Sequence, residues 1–181
     1  GTAFAALAGS PPKAGIVVTF GDFVMLGDLD DFPDRVQWSG VHDHTFWTNG
    51  TRSADKQDFH NGGRVMGIAP FGNGRGLIFH EDATRLVTPI DDRDVFTFAM
   101  AGMDRGLIAK HSLVTLGPWA FGLSRSGFFM IDQNGQFNLI GADRVDKWFQ
   151  DECETTRISA VIGAPDPARN RVFWIFPASG A

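Results

Sequence analysis

The sequence has no tyrosine, one cysteine and three glutamates, and its basic residues stand singly. A lone Cys153 excludes an internal disulfide framework, so the composition suits a reducing compartment. No apolar stretch approaches the ~20 residues that a bilayer-spanning helix needs, and the first residues lack the basic start of a signal peptide. Phosphate neutralisation needs clustered Lys and Arg. With a formal net charge of −5 and a pI near 5.4, a broad nucleic-acid-binding face is excluded.

Glycine and large side chains are abundant: 22 Gly, 17 Phe and 5 Trp among 181 residues. Such a composition, without long helix-forming runs, favours short strands and tight turns. One domain is expected at this length. The opening GTAFAALAGS and closing VFWIFPASGA do not resemble natural termini, so residues 1–181 are expected to be a single region within a longer polypeptide.

Short β-like runs recur at residues 16–20, 22–26, 35–39, 64–71, 76–80, 84–90, 95–101, 113–117, 119–124, 127–132, 136–141, 157–163 and 171–176. Nearly all are bounded by Gly, Asp, Asn or Pro, the pattern of sequential antiparallel strands. Asn134-Gly135 suits a two-residue hairpin turn, and Gly127 marks a second tight connection. One helix is expected near 143–152. Asp143 is its cap, Asp146 complements the dipole, and Val145, Trp148 and Phe149 form one apolar stripe with Trp148 as anchor.

A weak internal repeat supports an all-β, antiparallel arrangement. GRGLIFHEDATRLVTPI and GPWAFGLSRSGFFMIDQ share one plan of Gly, strand, polar turn and strand, and FGDFVMLGDLDDFPDRVQWS is a plausible earlier copy. From Gly76 to Trp119 and on to Val172 the interval is roughly 40 to 50 residues, that of four-stranded propeller blades. Three to four blades would fit, so residues 1–181 are expected to form a single β-propeller-type region, a partial propeller.

Several polar clusters invite chemistry. In VHDHTFW, His42 and His44 would share a face of a strand, and His60 or Asp58 could complete a metal site. Asp43 bonding its own loop is the simpler account, so no metal is assigned. GDLDDFPD offers four carboxylates without the ligand pattern of a calcium loop. It is read as a solvated acidic turn, as are Asp91, Asp92 and Asp94. Among Glu81, Glu152 and Glu154, no spacing sets a second carboxylate against Glu81, as glycoside hydrolysis requires. The runs FGNGRG and NGGR lack the ending of a phosphate loop, and Cys153 has no evident activating His. The five Trp residues are read as core and blade-packing residues. No catalytic residue and no cofactor are assigned.

Taken together, Arg35 to Ser39 with Asp43 and Trp47, Arg105 to Ala109, Gly127 to Asp132 and Ile140 to Phe149 resemble the β-propeller tail hub or nozzle proteins of short-tailed bacteriophages. The resemblance runs from about Gly21 to Phe176. It makes Arg35, Trp38, Asp43, Trp47, Gly127, Asp132 and Trp148 structural motif residues. It implies a non-enzymatic virion protein, assembled in the host cytoplasm. Such a protein forms a ring, by the family's habit a hexamer, below the portal and adaptor proteins. Genomic DNA would pass through the channel without specific binding, and no membrane is involved. Alternatives are a glycan-binding or glycoside-hydrolysing tail-tip propeller and a peptide-binding cellular scaffold.

Overall fold

The computed structural model describes residues 8–90, 95–142 and 144–180, and it is mostly β. The first sheet contains β1 (Ala14–Phe20), β2 (Phe23–Leu29), β3 (Arg35–Trp38) and β4 (Asp55–Asp58). The second contains β5 (Val65–Pro70), β6 (Gly76–His80), β7 (Ala83–Pro89) and β8 (Phe96–Met103). The third contains β9 (Val114–Leu116), β10 (Trp119–Ser124), β11 (Gly127–Asp132) and β12 (Phe137–Leu139). Helix α1 (Asp146–Glu152) follows, then a two-stranded fourth sheet, β13 (Ile162–Asp166) with β14 (Arg171–Ile175). Within every sheet each strand pairs antiparallel with its neighbour in sequence. Apart from the long loop 39–54 between β3 and β4, short turns make that pairing the least costly in loop entropy.

Successive sheets share their cores. Phe20, Met25, Val36 and Trp38 of the first sheet pack with Val65, Ile68, Ile78, Val87 and Phe96 of the second. Leu77 and Phe79 of the second pack with Leu107, Ala120, Phe129 and Ile131. Leu123 and Phe128 of the third pack with Phe149, Cys153, Val161 and Trp174. The sheets come close because glycine faces a bulky side chain at each junction: a Cβ on Gly76 would lie 2.5 Å from Phe20, and one on Gly122 2.6 Å from Leu107. β5 lies against β1 and β2, and β13 against β9, so the first strands of neighbouring sheets adjoin.

Four expectations change. β4, Asp-Lys-Gln-Asp, has no apolar residue; it forms because β3 supplies a hydrogen-bonding edge and the charges suit an outer strand. Residues 157–160 wind into a 3₁₀ segment, Thr155–Ala160, and the strand expected at 157–163 instead occupies Ile162–Asp166. There Pro165 is tolerated because β13 is an edge strand.

The turn at Asn134-Gly135 spans three residues, because Asp132 N–H bonds Gln136 C=O and only Gly135 has positive φ. That is the glycine-bulge form of a hairpin loop. In α1 the anchor is Phe149, 3% exposed, in edge-to-face contact with Phe128 and Phe176 at 4.9 and 5.0 Å. Trp148 is 55% exposed and Val145 45%; Trp148 meets only the edge of the core, with its ring 5.6 Å from that of Phe176. The expected cap Asp143, the acidic Asp91, Asp92 and Asp94, and the opening residues 1–7 lie outside the described residues.

Candidate functional site

The loop between Trp38 and Trp47 is a network of local hydrogen bonds. Asp43 Oδ1 accepts from Thr45 N–H at 3.1 Å and from Thr45 Oγ1 at 2.6 Å. These bonds from the Thr45 hydroxyl and backbone hold the Asp43 carboxyl below its ordinary pKa. Trp47 Nε1 donates to His44 C=O at 2.9 Å, and Trp38 Nε1 to Ser53 C=O at 2.8 Å. His42 adopts φ +54° and lies 3.6 Å from Asp22, while His60 lies 3.8 Å from Asp34. Asp58 is held by Arg35, whose Nη2 donates at 3.0 Å and whose Nε makes a second, short bond. That bidentate bond lowers the Asp58 pKa against the effect of burial. Among the described residues, no three His, Cys, Asp or Glu side chains gather as metal ligands.

One charge cluster, centred on a buried aspartate, joins three sheets. Asp28, 7% exposed at the end of β2, accepts from Arg64 Nε and Nη2 at 2.9 and 2.6 Å, and its other oxygen takes a short bond from Lys110. Arg64 precedes β5 and Lys110 precedes β9, so one carboxylate ties the first sheet to the entrances of the second and third. Burial raises the Asp28 pKa; the hydrogen bonds and charges of Lys110 and Arg64 outweigh it and leave the carboxyl below its ordinary value. The expected solvated acidic turn is therefore corrected at Asp28, although Asp30 and Asp31 are exposed.

Beside it, the fully buried His80 bonds Gly63 C=O through Nδ1 at 2.9 Å, which places its proton on Nδ1. Burial pushes its pKa down to about 4. The Arg85 guanidinium, 5% exposed, lies 4.5 Å from the centre of the Phe59 ring and donates through Nη2 to Asn61 C=O at 3.0 Å. Burial also lowers its pKa. Asp82 pairs with Arg125 at 2.8 Å across the second and third sheets, and Glu81 accepts the Arg64 backbone N–H at 3.3 Å. Asp28 and Asp82 tie sheets together through these ion pairs, which have the chemistry of a structural clamp, while among the described residues His80 Nε2 and Arg85 Nη1 are buried without a hydrogen-bond partner.

No protein-family model matches the sequence, and a search of curated proteins finds no match.

The remaining motif residues divide by environment. Gly127, with φ +117°, and Gly141 leave no room for a Cβ beside the buried Asp146 carboxylate, which accepts the Phe128 N–H at 3.1 Å. Asp132 caps its hairpin by accepting from Asn134 N–H and Gln136 N–H at 2.9 and 2.8 Å. Cys153 is buried, and that burial raises its thiol pKa, away from nucleophilic character.

Sequence reasoning missed the Asp28–Arg64–Lys110 clamp, since its members lie 36 and 82 positions apart. The one local signal was an aspartate inside the apolar run FVMLGDL.

Proposed function

We propose that the chain is a β-propeller-type structural subunit of a phage tail, a hub or nozzle protein whose copies ring the channel through which the genome leaves. The observation that carries this is the row of three four-stranded antiparallel meanders in chain order, each sharing a core with the next. Propeller blades are built that way; of the motifs resembling tail hub proteins, Arg35 to Trp38 forms β3 and Gly127 to Asp132 forms β11, Ile140 to Phe149 leads into α1, and Asp43, Trp47 and Arg105 to Ala109 lie in connections.

The net charge of −5 fits a duct that lets DNA slide without gripping phosphate. Ring closure would proceed through head-to-tail contacts, with portal, adaptor and other tail proteins as neighbours. The alternative of a glycan-cleaving tail-tip protein needs two carboxylates facing one sugar. The engagement of Asp82 by Arg125 and of Glu81 by Arg64 does not favour it.

Electron microscopy and mass spectrometry of purified virions test the proposal. The expected result is the protein in the tail, as a ring of identical subunits around the channel. A strictly monomeric full-length protein, absent from virions, would overturn it.

A further inference from the structure

A hollow of about 590 Å³ opens between the outer strands of the first two sheets, β4 and β8. Its walls follow from strand register. Asp55 and Gln57 of β4 lie opposite Trp38 and Val36 of β3, and opposed residues share a face, so with Phe59 they look toward the second sheet. Arg85 and Val87 of β7 lie opposite Met100 and Phe98 of β8, so Arg85, Phe96 and Phe98 look back toward the first. Four rings run in contact along the floor: Phe59 to Phe98 at 5.3 Å, Phe98 to Trp38 at 5.9 Å and Trp38 to Phe96 at 5.3 Å. Sites for small organic molecules have this size and this mixture of aromatic surface with a few polar groups.

The two ends differ in charge. Asp55 stands at one end, beside Trp38. At the other is Arg85, 5% exposed, its guanidinium 4.5 Å from the centre of the Phe59 ring. Arg85 Nη2 donates to the C=O and to the side-chain oxygen of Asn61, both uncharged. Nη1, beside Gly62, is buried without a hydrogen-bond partner, and among the described residues no carboxylate pairs with the guanidinium. A buried cation without a countercharge destabilises a fold, and an anion bound beside it relieves that penalty. Strand alternation puts Lys56 on the opposite face of β4, level with Gln37. One cation therefore faces the hollow, which suits a single carboxylate better than a doubly charged phosphate. Asp55 repels further negative charge at the far end.

We infer that the hollow between β4 and β8 is a binding site for a small planar monocarboxylate. The ligand's carboxylate sits at the Arg85 end and supplies the acceptor that Nη1 lacks, while its apolar body lies against Phe59 and Phe98. The site is built wholly from the first two sheets, and it holds whether or not the protein belongs to a virion.

Titration with cinnamate, followed in nitrogen–proton correlation spectra, tests the inference. Cinnamate should shift the amides of Asp55 to Phe59 and of Phe96 to Phe98. Cinnamamide, the same planar body without the charge, should bind at least about tenfold more weakly. Arg85→Met exchanges the buried charge for an apolar side chain, and water can replace its bonds to the exposed Asn61. That variant should keep or raise the urea midpoint and bind acid and amide alike. Gln57→Trp, at an exposed position on the wall, should fill the hollow and abolish the shifts. Absence of shifts with cinnamate, equal binding of acid and amide, or an acid preference that survives Arg85→Met would each overturn the inference. The comparison of acid with amide needs no variant, so it decides the matter even where Arg85→Met does not fold.

Discussion

Burial holds the His80 pKa at about 4, against 6.5 for a solvated imidazole, so the folded state keeps the ring neutral where the unfolded chain is protonated. Below pH 6.5 the unfolded chain binds more protons, and stability falls with pH until about 4, where the folded ring protonates as well. This interval is worth roughly 3 kcal/mol. In urea titrations from pH 7 to 4, His80→Gln should remove that part of the wild-type slope. An unchanged slope would show that His80 does not control it.

Asp28 titrates in the same sense, losing stability as pH falls, but over a lower range. Its folded pKa lies below 3.8, so the clamp's contribution is present above that value and is lost as pH falls through the lower folded value. Asp28→Asn leaves Arg64 and Lys110 without their anion and should cost about 1.5–3 kcal/mol at pH 7, read from the urea midpoint. The turn chemistry of Asp43 was legible because its partner Thr45 is two residues away. The clamp was not, because nothing local relates residues 28, 64 and 110.

Among the elements, α1 shows how a periodic stripe and its anchor can part company. Val145, Trp148 and Phe149 share the expected spacing, but only Phe149 enters the core formed with Phe128 and Phe176. Phe149→Ala should therefore cost about 3–5 kcal/mol. Trp148→Ala in residues 1–181 should cost about 0.5 kcal/mol, the usual scale for surface positions. Comparing the two urea midpoints checks the order, and a larger loss at Trp148 would restore it as the anchor. Most strands were legible from their apolar runs and bounding turn residues. β4 was not, since a charged edge strand owes its pairing to β3, and β13 was displaced because residues 155–160 close local 3₁₀ turns.

Across the whole molecule, stability depends on how closely sheets stack. Gly76 in β6 faces Phe20 in β1, where a Cβ would also lie 2.6 Å from the Ala69 carbonyl oxygen. Gly76→Ala should lower stability by about 1–3 kcal/mol through overpacking. The loss should appear as one shift shared by tryptophan fluorescence and circular dichroism, because the first two sheets share a core.

Residues only a few positions apart were enough to establish the β-rich class, most hairpin sites and one helix, because strand alternation, turn φ angles and helical spacing are local properties of the chain. Contact between distant residues settled the rest: which face of α1 is covered, and that Asp28 binds two cations from other sheets. These outcomes depend on how close the packed sheets bring side chains and backbone edges, and that proximity arises only when the sheets stack.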